Sequence, residues 1–455
     1  MFSRSHASEE GLGPTPFLST TDGHPSAIIA GCVSALDGAY FETEVDMVIQ
    51  GPLPIVCKRT YNSHTNRWDF YPGSFIDRSY KVYADVPEYY YWARSSIHGY
   101  DGTNLVFSST LKKKQILSSL LIRNQESGYT NTGKGYIGGK TNLFNSTYEY
   151  NSEILKYGNG VKASYVKTKE FPNLSFVSRI DFPNYSSYIF DYAADKNVKK
   201  FDHFARYTVD AKNHSGKQHY GRAWLDREQY LENKSVYISL HSQHNDRPVR
   251  YTLDKKTRSL LRPIIHMVSA NHLPTVQYEY KNEKLVRKYY PETDRSFEIK
   301  YDHGKVSQLL APVGKKDALL PIYEFKYKDK YTVVKDGLNN ETIYRYDNKP
   351  RLTAIEKKSS SGQILTKETF SWYPTSSPHP GCLESFTLLD GQNQLQYTKS
   401  YTYDEKHNVI SETQEGPSSQ KYIKNFTYSN DDFNNLLSET DCRLSSNTSI
   451  AQIQI

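Results

Sequence analysis

From Tyr278 onward one short pattern returns six times, and a returning pattern limits a chain more than its composition does. The copies read QYEYKNEKLVRK, EIKYDHGKVSQLL, EFKYKDKYTVV, IYRYDNKPRLTAI, SYTYDEKHNVISE and NFTYSNDDFNNLLSE. Their second aromatics fall at Tyr280, Tyr301, Tyr327, Tyr346, Tyr403 and Tyr428, and the long gap before Tyr403 has room for a degenerate copy around Phe370, Ser371, Trp372 and Tyr373. Two aromatics at i and i+2 share one face of a strand. A polar cluster such as Asp302-His303-Gly304 or Asp347-Asn348 makes the turn. An aliphatic residue then returns on the partner strand: Leu285, Val306, Leu352, Val409 or Leu436. One such hairpin cannot bury its aromatic face alone. Stacked neighbours can, which predicts a continuous sheet with a continuous tyrosine-lined face.

Composition supports the β reading. The chain of 455 residues carries 39 Tyr against 19 Phe and 3 Met, so tyrosine supplies apolar bulk that leucine or phenylalanine supplies elsewhere. Tyrosine favours strands and keeps a hydroxyl for solvent or a partner. The apolar fraction of 37% and the mean hydropathy of -0.71 suit thin, half-wet sheets rather than one thick core. The net charge of +7 is spread among 50 acidic residues, and the cluster Lys112-Lys113-Lys114 reads as a solvated face; no nucleic-acid reader motif accompanies it. No segment approaches the 18 or so apolar residues of a membrane span. No charged and apolar leader opens the chain, and the run Ala27 to Cys32 is too short for a lipoprotein signal. A soluble protein, exported if at all by a route without a cleavable signal, is the expectation. Cys32, Cys57, Cys382 and Cys442 are too few and too scattered for a disulfide framework.

Before the repeats, residues 1–24 read as a flexible arm. Residues 25–95 form a leading domain in which Tyr40, Glu42 and Glu44 alternate with Phe41, Thr43 and Val45, and Gly51 to Pro54 makes a turn with an extended exit. Tyr80, Val82 and Ala84 share a face further on. Residues 96–275 continue as short strands with polar joints, and Leu111 to Arg123 is the one stretch that admits a short helix, with a strand as the close alternative. Pro172, Pro183 and Pro263 sit near candidate strand ends. The repeats occupy 276–440, and 441–455 is a polar tail.

The repeats resemble the YD repeat of the RHS family, whose Tyr-Asp pair stands here as Tyr301-Asp302, Tyr346-Asp347 and Tyr403-Asp404. Lys281, Lys328 and Ser429 replace the Asp in other copies. The stretch from Asp37 to Ser63 independently resembles the segment that opens RHS proteins, with Pro52 and Pro54 in its turn, the pair Arg59 and Tyr61, and Trp68 shortly after. The resemblance implies an all-β fold of repeated antiparallel hairpins that forms a curved, partial cocoon-like shell. It implies enclosure or presentation of a polypeptide, as in contact-dependent toxin systems, with the leading segment capping one end. The DPxGR-like and NxYxYxxNNP-like core patterns of bacterial RHS toxins have no match here, so neither a self-cleaving core nor a cargo is carried over. A partner chain completing the shell is then expected.

Candidate chemistry is sparse. Gly133 to Thr141 places Lys134 where a phosphate loop needs glycine. His241 and His244 lack the further ligands of a zinc site and read as an exposed hairpin. Asp181 and Asp191 carry no separation that would mark a glycosidase pair. No G-x-S-x-G elbow is present, and Cys382 has no nucleophile signature. The eight Asn-x-Ser/Thr sequons follow from composition. The reading is therefore a non-enzymatic shell with no catalytic residue, no cofactor and no metal. Its rivals are an adhesion module whose exposed aromatic rows engage a glycan, a truncated gene fragment without activity, and a polysaccharide-acting enzyme.

Overall fold

The structure, a computed structural model, describes residues 27–441 apart from 64–65, 73–74, 78–90, 99–103, 113–114, 125–127, 133–146, 150–153, 157–159, 168–173, 195–203, 231–234, 244, 254–263, 269–273, 314–317, 348–351, 375, 380–381, 406–407 and 431–435. The arm 1–24, the loop Gly133 to Thr141, Lys113 and Lys114, the row Tyr80, Val82 and Ala84, Pro172 and Pro263, and the tail beyond Asp441 lie outside them. Among the described residues every regular element is a strand. No helix there is long and apolar enough to cross a membrane.

From Thr147–Glu149 to Leu436–Asp441 each strand pairs antiparallel with the next, which makes one long, curved ladder of hairpins. The ladder forks at Leu174–Phe182. Residues 174–176 of that strand pair with Phe75–Asp77, and residues 179–182 pair with Ser186–Ala194. From Phe75–Asp77 a second arm runs through Tyr91–His98, Asn104–Lys112 and Gln115–Asn124 to Gly128–Thr132. Among the described residues no pairing joins Leu436–Asp441 to Phe75–Asp77, or Gly128–Thr132 to Thr147–Glu149, so the ladder stays open. Two strands from the 25–95 stretch, Phe75–Asp77 and Tyr91–His98, thus belong to the ladder.

The helix allowed over Leu111 to Arg123 is overturned. Those residues lie in a hairpin whose register runs from Asn104↔Arg123 to Lys112↔Gln115. Cross-strand pairing along that whole length outweighs the modest helix propensity of leucine and lysine.

Within the repeats, the second aromatic of each copy stands directly opposite an aliphatic residue: Tyr280↔Leu285, Tyr301↔Val306, Tyr346↔Leu352, Tyr403↔Val409 and Tyr428↔Leu436. The degenerate copy follows suit, with Trp372↔Leu383. In all six the register slips beside the aromatic, leaving one extra residue after the aliphatic one, a β-bulge that interrupts the ladder at that point. Leu285, Val306, Leu352, Leu383 and Val409 are buried, whereas Leu436 is 44% exposed on the final described strand. The pair Tyr327↔Thr332 has no bulge.

The bulge has a use. Tyr301 donates its hydroxyl proton to the Leu285 carbonyl at 3.0 Å, Tyr403 to Leu383 at 2.7 Å and Tyr428 to Val409 at 3.0 Å. Trp372 Nε1 does the same to Leu352 at 2.7 Å. Each aromatic therefore latches onto the carbonyl of the aliphatic residue one repeat earlier. Tyr346 reaches the Lys328 carbonyl instead, at 3.1 Å. Tyr327, in the copy without a bulge, has a buried hydroxyl with no hydrogen-bond partner.

Candidate functional site

A three-stranded sheet of Phe41–Ile49, Ile55–Asn62 and Arg67–Tyr71 lies against the buried face of the ladder. Its first hairpin meets the ladder strands in order. At the tip, the Pro54 carbonyl accepts from the Tyr188 hydroxyl. Ile49 packs so closely on Gly221 that a Cβ there would stand 3.1 Å from Ile49 Cγ2. Asp46 accepts from Tyr251, Arg59 donates to Tyr278, and Glu42 pairs with Lys288. At the base, the Gly38 carbonyl accepts from the Val306 N–H at 3.0 Å.

These contacts fix the crossing angle. From Ile49 to Asp46 is about 10 Å of strand, and the two ladder steps from His219–Tyr230 to Asn245–Leu253 are also about 10 Å. From Asp46 to Glu42 is about 13 Å, against about 14 Å for the three steps to Lys284–Tyr290. The hairpin therefore runs nearly at right angles to the ladder strands and ties them together as a crossbar.

At the centre of the seam is Arg59, among the largest fully buried side chains. Its Nε lies 2.9 Å from Asp46 Oδ2, and both side chains are 2% exposed. Its NH1 donates to the Tyr278 hydroxyl at 2.6 Å, and its guanidinium carbon sits 4.5 Å above the Trp68 ring. Trp68 packs on Tyr61 at 5.4 Å and on Tyr278 at 5.1 Å, and its indole N–H donates to the Tyr280 hydroxyl at 2.8 Å. Tyr61 accepts from the Leu285 N–H at 2.9 Å, so the backbone of Leu285 is held by Tyr61 on one side and by Tyr301 on the other. Lys284 donates to the Ser63 carbonyl at 2.6 Å.

The electrostatics follow from burial. Burial lifts the Asp46 carboxyl above its usual range, and the Arg59 charge and the Tyr251 hydrogen bond hold it back. Burial alone would lower Arg59, but the Tyr278 and Asp46 partners outweigh it. Burial likewise opposes the Lys288 charge, and facing Glu42 overcomes that and raises it. For Glu42 burial pushes up, while Lys288 and the hydrogen bonds from Glu44 and Tyr40 bring it below the ordinary value. Glu44 is pushed up to about 7 by burial and by the Glu42 charge. The phenols of Tyr278, Tyr280 and Tyr251 are pushed well up by burial and stay neutral.

Of the residues singled out in the sequence, Arg59, Tyr61, Trp68 and Tyr280 meet at this seam, and Tyr301 joins it through Leu285. Pro54 anchors the tip and Pro52 is exposed beside it. Tyr346, Tyr403 and Tyr428 lie further along the ladder in their own latches, and Tyr327 lies there without one. Asp404 makes the turn expected of it, accepting from the Asn408 N–H and side-chain amide at 2.8 Å each. Asp302 is exposed and pairs with His303 at 2.8 Å, and Asp347 follows the end of Glu341–Tyr346. His241 departs from expectation. It is half-buried and stacked at 5.3 Å on Trp224 rather than exposed.

Sequence reasoning missed Asp46, Tyr251, Tyr278, Lys288 and Gly38. The alternation of Glu42, Glu44 and Asp46 was a signal for a charged inner face, and Tyr278 is the first aromatic of its repeat. Tyr251 had none, since its partner lies 205 residues away. Among the described residues no cluster of three or more His, Cys, Asp or Glu side chains could hold a metal ion.

No curated protein matches the chain. A solved structure of TcdB2-TccC3 is similar at 13% identity over 74% of this chain and 20% of that one, with a TM-score of 0.36. A structure of a Photorhabdus luminescens Tc holotoxin pore is similar at 9% identity over 86% of this chain and 23% of that one, with a TM-score of 0.20. The chain spans about a fifth of the length of these solved chains. Residues 31–75, which carry the crossbar and its Arg59 centre, match the family described as Domain of unknown function (DUF6531).

Proposed function

We propose that this chain is part of an RHS/YD-repeat wall that encloses or presents a polypeptide within a toxin system, and that it acts without catalysis. The observation behind this reading is the latch that recurs from hairpin to hairpin. A single-layer sheet has no second layer to stiffen it. Here the stiffness comes from aromatic donors, Tyr301, Trp372, Tyr403 and Tyr428, that tie their hairpins to the backbone of the one before. Cross-strand ion pairs such as Arg287–Glu279, Arg345–Glu356 and Lys424–Glu439 complete the ladder. The buried carboxylates of the seam are taken up by Arg59, Lys288 and tyrosine hydroxyls, an arrangement suited to holding elements together. A wall of this kind separates a polypeptide from its surroundings by sterics, and its half-buried phenols offer amphipathic contacts.

The glycan-binding alternative rests on exposed rows of repeat aromatics. Tyr278, Tyr401 and Tyr403 are buried, at 3%, 4% and 6% exposure, and Tyr280, Tyr301, Tyr346 and Tyr428 are half-buried, which supports the wall reading over a fully exposed aromatic row.

The test is protease protection of the intact gene product purified from its source. A co-purifying polypeptide segment that survives protease in native buffer, and is digested once denaturant opens the wall, is the expected result. Digestion of every non-repeat segment at the rate of free chain would overturn the proposal.

A further inference from the structure

Glu42, Glu44 and Asp46 alternate along one strand and turn toward the ladder. Two cations face them. Arg59, from the neighbouring strand and in register with Glu44, is committed to Asp46 and Tyr278. Lys288, from Lys284–Tyr290, lies 2.9 Å from Glu42. Among the described residues, the remaining titratable neighbours are the phenols of Tyr40, Tyr251, Tyr278, Tyr280, Tyr290 and Tyr301 and the thiol of Cys32, and burial pushes all of them up and keeps them neutral. Among the described residues, three carboxyls thus share two cations at the seam, Glu42 and Asp46 buried and Glu44 half-buried. An uncompensated buried charge is strongly destabilising, so the excess is relieved by a proton. That proton has a place: Glu44 stands two residues from Glu42 on the same strand, close enough for the Glu42 charge to raise it, and Tyr40 donates to the far oxygen of Glu42 at 2.7 Å.

We propose that the seam between the crossbar hairpin and the ladder is a proton-dependent clamp, in which Glu44 must be protonated for the hairpin to stay fully seated. When Glu44 ionises, buried Glu42 and half-buried Glu44 are adjacent carboxylates facing one lysine, and repulsion favours lifting the strand toward water. The direction follows from the raised value of Glu44. Its ordinary value is 4.5 and its seated value about 7, so the stabilisation is complete below 4.5, falls between 4.5 and about 7, and is gone above. The clamp tightens in acid and loosens toward neutral and alkaline pH.

The inference goes beyond the enclosure reading and does not need it. A hairpin that loosens with pH on a protein that protects no polypeptide would sink enclosure and leave the clamp standing.

The experiment is hydrogen exchange by mass spectrometry on the intact protein from pH 5 to pH 8, corrected for intrinsic exchange. Peptides covering 41–62 are compared with the repeat strands 352–372. Protection of 41–62 is expected to fall by on the order of a hundredfold across this range, with the reference strands steady. Glu44→Gln, which keeps a neutral hydrogen-bonding group, is expected to hold the hairpin at its acid-state protection throughout. An unchanged pH dependence in that variant would overturn the clamp. If the variant does not fold, wild-type protection that stays flat from pH 5 to pH 8 overturns it equally.

Discussion

The hydroxyl of Tyr403 donates to the backbone carbonyl of Leu383, 2.7 Å away and one repeat earlier, and both residues are buried. The bulge beside Trp372 and beside Tyr403 disrupts the ladder, and the latch satisfies a carbonyl of the aliphatic residue left there. Removing only the donor should therefore strand a buried acceptor. Tyr403→Phe is expected to lower stability by about 1–2 kcal/mol. Tyr327→Phe, at the copy without bulge or hydroxyl partner, is expected to change stability by less than about 0.5 kcal/mol or to raise it. Paired urea melts of the two variants check this. Equal losses would show that the latch is incidental.

The aliphatic half of the repeat gives a second test. Leu352 is fully buried opposite Tyr346, and its carbonyl holds Trp372. Leu352→Ala is expected to cost about 2–5 kcal/mol through the cavity it leaves. Leu436, the equivalent residue on Leu436–Asp441, is 44% exposed, and Leu436→Ala should cost less than about 1 kcal/mol. Thermal melts that fail to separate the two would mean that Leu436 is packed as tightly as Leu352, against its exposure on the final described strand.

Arg59 offers a third. Arg59→Met leaves Asp46 buried without its cation and removes the donor to Tyr278, at an expected cost of about 3–5 kcal/mol. Asp46→Asn in the same background should recover part of that loss, because the stranded charge is gone. Denaturant melts of the two single variants and the double variant measure the coupling. Strict additivity would mean the pair does not act as a unit.

How much of this was legible in the sequence follows from the range of each interaction. The repeat hairpins are local: aromatic, turn and aliphatic lie within a dozen residues, so Tyr301 and Val306 or Tyr403 and Val409 pair as the pattern implies. The spacing placed a degenerate copy around Phe370 to Tyr373, and the structure puts Trp372 in the role of its second aromatic, where the indole N–H replaces a phenol as donor. The bulge was not legible, since nothing in a hairpin sequence announces a register slip of one residue. Nor was the orthogonal crossing. Arg59, Tyr61 and Trp68 stood out by resemblance alone. Their partners Tyr278, Leu285 and Tyr280 lie more than 200 residues away and give no local signal. The helix at Leu111 to Arg123 failed for a different reason: its leucines and lysines suit a helix locally, and hairpin pairing between Asn104–Lys112 and Gln115–Asn124 overrides that preference.

The base of the crossbar supplies the last prediction. Gly38 has φ +75°, and its carbonyl takes the N–H of Val306, the aliphatic residue of the second repeat. A Cβ at Gly38 would stand 2.5 Å from Lys305 Cβ, so the clash is with the root of a side chain that cannot swing away. Gly31 has a similar φ, +69°, but a Cβ there would meet nothing within 4 Å. Gly31→Ala therefore pays only for the left-handed backbone, about 1 kcal/mol. Gly38→Ala pays that and must also push the crossbar off the second repeat, which should raise the cost to about 3 kcal/mol or more. The difference isolates docking from backbone strain. Thermal melts showing equal losses for the two alanines would mean that the contact between Gly38 and the second repeat does not hold the crossbar in place.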